Sequence, residues 1–236
     1  MYKYFFKRFF DMLFSGLMLI ILSPVFLIIT IVSLINVGHP VVFSHYRPGK
    51  NNKIFKLHKF RSMTNKTGPD GKLLPDADRL TKYGKFLRKS NLDELPQLWN
   101  IFIGQMSFIG PRPKLVRDMV FFDEEQNKRS KVRPGITGWA QVNGRNETSW
   151  EETFKYDLEY VNSKNMFWMD IKIFFKTIGL FFKRNRAEEQ GTANHEFYRY
   201  GDYLVKTGKI TQEQYDAGLK QANDITSVKT KGKENI

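Results

Sequence analysis

The chain contains no cysteine, and histidine occurs only four times. The first absence excludes disulfides, thiolate zinc sites, iron–sulfur clusters and cysteine nucleophiles. The second leaves little material for a histidine metal centre. Gly-rich nucleotide loops are missing too. There is no G-x-x-x-x-G-K-[ST], and no G-x-G-x-x-G follows a strand-like segment. P-loop, kinase and dinucleotide readings lose their main support. Acidic residues are the minority, 24 against 38 Lys and Arg, for a formal charge of +14 over 236 residues. No internal repeat or long linker is evident.

What the chain does have is phenylalanine, 21 of them, many beside Lys or Arg. The opening Met1–Phe10 and the stretch Phe174–Arg184 both mix rings with cations. A nucleic-acid binder rarely needs such clusters. A membrane surface does, being apolar below and anionic above.

No charged residue stands between Asp11 and His39. As one straight helix, Met12–Val37 would cross a bilayer, which needs about 20 apolar residues. A signal peptide fits poorly, because the run is long and no A-x-A-like site follows it. Ser23-Pro24 interrupts the run near its middle. Proline lacks an N–H and clashes with the preceding turn, so it kinks a helix. The neighbouring serine can bond the freed carbonyls. Each half is roughly 16–20 Å long, short of the ~30 Å hydrocarbon core. Lys3, Lys7 and Arg8 precede the run, and Arg47, Lys50, Lys53, Lys56, Lys59 and Arg61 follow it. Positive flanks prefer the cytoplasmic side. The pattern therefore predicts entry into one leaflet, a bend at Ser23-Pro24 and return. A kinked spanning helix is the alternative.

Further on, Val41–Tyr46 and Lys53–Phe60 read as strands of a small β-hairpin. Helices are predicted over Arg79–Lys89, Asp93–Phe102, Lys114–Lys131, Ser149–Val161 and Phe167–Lys183, and from Thr211 to near Ala222. Residues 62–79 and 104–113 read as loops. The fold class is α+β and mostly helical, with an N-terminal membrane helix, a small β-hairpin and surface-lying amphipathic helices. Three regions are expected: a re-entrant membrane helix at 1–38, a main domain at 39–186 and a C-terminal extension at 187–236 of unknown role.

Three segments carry chemistry. Asp93-Glu94 precedes Pro96, which favours a first helical turn. Paired carboxylates there could attack a docked phosphate, with Arg88 and Lys89 just upstream. Ordinary helix capping gives the same pattern. Pro111-Arg112-Pro113 holds one arginine on a stiff turn, suited to bidentate phosphate contact. Arg133–Arg145 has three glycines, whose N–H groups could form an anion nest, plus Trp139 for stacking and Gln141, Asn143 and Arg145 for polar contacts. A tight surface turn is its plain reading. Together the three suit a phosphorylated, nucleotide-bearing ligand beside a membrane.

With these pieces in order, the chain resembles the bacterial sugar transferase family, the small monotopic phosphoglycosyl transferases. The matching motifs are the apolar run with Ser23-Pro24, Lys59–Met63, Leu92–Asn100, Gly110–Pro113 and Arg133–Arg145. The resemblance covers about residues 1–185. It implies transfer of a sugar-1-phosphate from a UDP-sugar to undecaprenyl phosphate with release of UMP. It implies that Asp93 is the nucleophile, that Glu94 assists proton transfer, and that Mg²⁺ is bound near Asp93. It implies nucleotide contact by Pro111, Arg112 and Pro113, and a re-entrant N-terminal helix. The protein would be monotopic, with its catalytic domain on the cytoplasmic face of the membrane. Its products would feed glycoprotein, capsule or O-antigen assembly, with an N-acetylated amino sugar as donor. Arg88 and Arg145 are expected to steer phosphates. Asp157 is expected to pair with a site arginine or hold the metal indirectly. Expected partners are the UDP-sugar, undecaprenyl phosphate and membrane lipids, without nucleic acid; self-association stays open.

Two rivals remain on sequence grounds. Asp76-Ala77-Asp78 is a D-x-D that could hold Mg²⁺ in a glycosyltransferase. The other rival is a basic membrane adaptor without catalysis.

Overall fold

The computed structural model describes residues 2–144, 148–183 and 199–231. Helices dominate, with two small two-stranded sheets, an α+β fold. The chain forms two compact units: Phe6–His45 with Lys56–Gly104, and Met1–Phe5 with Tyr46–Phe55 and Gln105–Ile236.

The apolar run forms two helices, α1 (Lys7–Ile21) and α2 (Ser23–Asn36), bent by 61°. Leu22 is the break, and Pro24 lies in the first turn of α2, where a missing N–H costs nothing. Ser23 Oγ donates to Ile20 O at 2.8 Å, taking one carbonyl that the break releases. Leu27, Ile28, Ile31 and Ile35 are exposed along α2, whereas Ser15 of α1 and Ser33 of α2 are fully buried. Ser33 is within hydrogen-bond distance of the Tyr83 hydroxyl, at 2.9 Å. Ser15 and Ser33 thus face protein together with Ile29 and Val37, while Leu27, Ile28, Ile31 and Ile35 stay on the outside. Among the described residues, no single helix is long and apolar enough to cross a membrane.

Strands β1 (Val42–Pro48) and β2 (Ile54–Phe60) form the expected hairpin. Its turn is a 3₁₀ segment over Lys50–Asn52. The polar stretch after it is less irregular than predicted, with a helical turn α3 (Asp76–Arg79) and bridges Met63 to Leu80 and Thr67 to Leu73. Helix α4 (Lys82–Ser90) starts at Thr81, whose side chain accepts from Gly84 N, and ends at Asn91, φ 56°. Leu87 packs with Phe60 and Ile29 as the core of this unit. Helix α5 (Gln97–Phe102) lies against α1, and Arg8 donates to Ile101 O and Phe102 O, both at 2.7 Å, capping its C-terminus.

In the other unit, β3 (Ser107–Ile109) lies within a segment predicted as loop. It pairs in parallel with β4 (Gly135–Thr137). Both strands have three residues, too short for a periodic signal. The single helix predicted over Lys114–Lys131 is instead α6 (Val116–Met119), α7 (Glu124–Asn127) and a 3₁₀ turn at Lys128–Lys131. Asp123 causes the break, because its side chain accepts from Gln126 N and starts a new helix. Then come α8 (Trp139–Gly144), α9 (Trp150–Val161) and α10 (Met166–Lys183). A Ser149–Glu152 capping box starts α9. Trp139, Val142, Tyr160, Val161, Met166 and Ile173 build the core. Phe167, Trp168, Phe174 and Phe175 stay exposed on α10. The tail contributes α11 (Tyr200–Lys206) and α12 (Gln212–Lys231), the latter nearly ten residues longer than predicted.

Candidate active site

Asp93 and Glu94 do not open a long helix, as the sequence suggested. They sit on a separate 3₁₀ turn, Leu92–Glu94, between Asn91 and α5. Asn91 adopts the left-handed conformation that asparagine tolerates, and this turns the chain sharply out of α4. Leu92 and Leu95 pack on the Leu87–Phe60 core and anchor both ends of the turn. Glu94 N and Leu95 N bond Asn91 O and Leu92 O, so these two amides are not anion donors.

The strand end Lys59-Phe60-Arg61-Ser62 supports this turn from one side. Lys59 Nζ donates to Glu94 Oε1 at 2.5 Å in a partly buried ion pair. Phe60 fills the core. Arg61 is buried and donates to the carbonyls of Val37, Gly38 and His39, closing the C-terminus of α2. Ser62 Oγ accepts from Arg88 Nε at 2.9 Å. Arg88 is thus tied to the strand on the same unit as the acid pair. Gly84 lets α4 pass Ser62 closely, since a Cβ there would lie 1.8 Å from Ser62 O.

Asn100 is a residue that sequence reasoning passed over. It is fully buried. Its Oδ1 accepts from His58 N at 3.1 Å, and its Nδ2 donates to Lys56 O at 2.7 Å. One side chain thus mimics a neighbouring strand along β2 and fixes α5, hence the acid turn before it. Its place at the end of the Leu92–Asn100 motif was the available signal.

Asp93 is 9% exposed, so its carboxylate is largely withdrawn from water. The described residues hold no group of three acids or histidines suited to a metal. Mg²⁺ is usually held by one or two carboxylates together with substrate phosphates, a chemistry the Asp93-Glu94 pair would suit.

The second group lies in the other unit. Pro111 and Pro113 line a shallow cleft together with Pro48, Pro134, Asn52 and Arg129. Arg112 between them is exposed. Its carbonyl accepts from Arg129 Nη2 at 2.8 Å. The same guanidinium reaches Asp157 Oδ2 from Nε at 2.9 Å and from Nη2 at 2.7 Å. Arg129 and Asp157 are both buried. Asp157 pairs with an arginine, as expected, but with one that the sequence did not single out. Both hydrogen bonds go to Oδ2.

The Gly-rich segment is not a nest. Gly110, Gly135 and Gly138 are spacers for close backbone approach. A Cβ on Gly135 would lie 2.1 Å from Gly110 N, and one on Gly138 would lie 2.3 Å from Gly110 O. Trp139 is core rather than an open stacking face: its Nε1 donates to Glu159 at 2.7 Å. Gln141 donates to Ile136 O and Asn143 to Trp139 O, so both amides serve the local fold. Arg145 lies outside the described residues.

The profile of bacterial sugar transferases matches residues 2–184. The chain belongs to the bacterial sugar transferase family. Among relatives of this sugar transferase, an uncharacterized sugar transferase of Bacillus subtilis, EpsL, is 45% identical over 172 residues, 73% of this chain and 85% of the relative. The exopolysaccharide production protein ExoY of Rhizobium meliloti is 37% identical, over 73% of this chain and 83% of its own length. The UDP-glucose:undecaprenyl-phosphate glucose-1-phosphate transferase of Escherichia coli is 41% identical, over 73% of this chain. The sugar transferase described here spans only 39% of that last protein.

Proposed function

We propose that the chain transfers a sugar-1-phosphate from a UDP-sugar to undecaprenyl phosphate and releases UMP. The observation that carries this reading is the buried Asp93 on a 3₁₀ turn, beside a Glu94 held by Lys59. Relatives named for transfer of glucose-1-phosphate to undecaprenyl phosphate support the reaction class.

In the first step an Asp93 carboxylate oxygen attacks the phosphorus that bears the sugar. The bond from that phosphorus to the UMP oxygen breaks, and UMP leaves. An aspartyl phosphosugar remains. In the second step an oxygen of the lipid phosphate attacks the same phosphorus and Asp93 is freed. One hard transfer becomes two easier ones. Glu94, oriented by Lys59, handles proton transfer around the carboxylate. Arg112 contacts the nucleotide, and Arg88 supplies positive charge for the phosphoryl oxygens. Arg145 is assigned the same role. Mg²⁺ at Asp93, when bound, neutralises phosphate charge.

The lipid acceptor requires work at a membrane surface. The α1–α2 pair supports re-entry: helices of 15 and 14 residues, roughly 21–23 Å each, are shorter than the ~30 Å hydrocarbon core. A 61° bend and an apolar exterior suit a hairpin that enters and leaves one leaflet. The exposed rings of α10 suit a helix lying in the interface. Both flanks then stay on the cytoplasmic face, with residues 1–38 as the membrane element, 39–186 catalytic and 187–236 an extension. The donor proposed is an N-acetylated amino sugar. Relatives named for glucose and galactose put hexoses in the same screen.

The test uses purified full-length protein with UDP-sugars and no lipid acceptor. A protein mass raised by one sugar-phosphate, with one equivalent of UMP, is expected for the true donor. Asp93→Asn abolishes both. Release of UDP instead of UMP would move the chemistry to plain glycosyl transfer. Asp76 and Asp78, the acids of that rival, both lie exposed on the single turn α3.

A further inference from the structure

The tail helices α11 and α12 lie beyond residue 184, where the family match ends. They nonetheless pack into the matched part of their unit, and their contacts converge on the Pro111–Pro113 turn. Tyr200, the first residue of α11, is buried. Three paths lead from it.

The first path is polar. Tyr200 N donates to Asp118 Oδ1 at 3.1 Å, and Asp118 Oδ2 accepts from Leu115 N at 3.4 Å. Asp118 is itself buried, so the tail satisfies a carboxylate that fixes the start of α6, two residues past the turn. The second path is through Trp150. The Tyr200 ring meets Trp150 at 5.0 Å, and Lys114 Nζ sits 4.2 Å above the Trp150 ring. Lys114 directly follows Pro113. The third path is through Phe122. Tyr200 packs edge-on against it at 5.6 Å, and the Arg129 guanidinium lies 5.8 Å from its centre. Arg129 holds the Arg112 carbonyl.

Further contacts dock the tail on the same part of its unit. Phe121 is stacked on Tyr215 of α12, with Gly201 and Gly218 on either side. A Cβ at Gly218 would lie 2.4 Å from the Phe121 ring, and one at Gly201 would lie 2.7 Å from it. Gln126 Nε2 donates to the Tyr200 hydroxyl at 2.7 Å.

We propose that the C-terminal extension is a clamp for the donor-binding turn, with Tyr200 its positioning residue. Each path reaches a group within the stretch 112–115, and ordering that stretch before the donor arrives lowers the cost of binding. The proposal rests on the reading of Arg112 as a donor contact.

Full-length Gly218→Leu and Tyr200→Ala undock the tail; Tyr200→Phe keeps the ring and the backbone N–H. Amide exchange over 109–118 should quicken about tenfold in the first two and stay near wild type in the third. The donor KM should rise about five- to tenfold in the undocked variants, with kcat within about twofold and the KM for lipid phosphate unmoved. Arg112→Ala separates the two claims. If it raises the donor KM while Gly218→Leu changes neither exchange nor KM, the clamp is overturned. If Gly218→Leu quickens exchange while Arg112→Ala leaves the donor KM unmoved, the clamp stands and the reading of Arg112 falls. Quickened exchange throughout the chain, with kcat lost as well, would reduce the tail to plain structural support and overturn the proposal.

Discussion

Asp157 accepts two hydrogen bonds from the Arg129 guanidinium, at 2.9 and 2.7 Å. The pair is buried, and one Arg129 nitrogen also holds the Arg112 carbonyl at 2.8 Å. A charge pair in the core thereby sets the backbone of the proline-bracketed turn.

Breaking that pair on one side strands a buried charge. Asp157→Asn or Arg129→Met should cost about 3–5 kcal/mol of stability. Replacing both, as Arg129→Met with Asp157→Leu, should recover most of it, because no lone charge remains. The donor KM should stay raised in the double variant, since the Arg112 carbonyl has lost its donor. Denaturant unfolding and UMP-release kinetics together check this. A double variant with wild-type KM would show that the turn needs no such hold.

Lys59 and Glu94 form the ion pair beside the nucleophile candidate. Glu94→Gln should lower kcat by on the order of 100-fold, as for a lost general acid or base. Lys59→Met should lower it less, and Lys59→Arg should restore part of the loss. Equal rates for Lys59→Met and wild type would remove Lys59 from the account.

Asn100 offers a stability prediction. Asn100→Leu leaves His58 N–H and Lys56 C=O without their partner, at about 1–3 kcal/mol each. The loss should appear as a lower unfolding midpoint and a slower first half-reaction. A midpoint within error of wild type would mean that α5 is fixed by packing alone.

Lys114 gives a pH dependence. Burial pulls its ammonium down from 10.5 to about 8, with Arg129 and Arg112 adding to the effect and Asp157 and Asp118 opposing it. Between about pH 8 and 10.5 the unfolded chain holds a proton that the folded chain has shed. Stability from this group therefore rises with pH across that window and is flat below it. Lys114→Gln should abolish the rise. Unfolding free energies of both proteins between pH 7 and 10.5 test the sign, and a wild-type curve falling relative to the variant would contradict it.

Topology is tested at the break. Pro24→Ala restores a backbone N–H and removes the clash, favouring a straighter helix. Single cysteines at positions 2–5 should be labelled from the cytoplasmic side in wild type and partly from the far side in Pro24→Ala. Wild-type labelling from the far side would exclude re-entry.

Much of this was legible along the chain because it rests on local chemistry. Ser23-Pro24 breaks a helix wherever it stands, and Ser149 with Glu152 caps one wherever it stands. The hairpin and α10 follow from runs long enough to show periodicity. The family motifs Leu92–Asn100 and Gly110–Pro113 are local strings as well. The anion-nest reading of Arg133–Arg145 failed because glycine has two uses, positive φ and close approach, that look identical in a sequence. Lys114–Lys131 broke into pieces because one Asp123 cap outweighed a weak helical pattern.

Residue order alone determined the bent pair of apolar helices, the acid pair, the stiff arginine turn and the charge that suits a lipid surface, since each depends on neighbours within a few positions. Tertiary structure alone decided that Lys59 meets Glu94, that Asn100 replaces a strand beside β2, and that Arg129 spans from Asp157 to Arg112. Those partners lie between 17 and 44 positions apart. No local pattern encodes such pairings, because they arise when burial forces each polar group to find whichever partner the packing brings near.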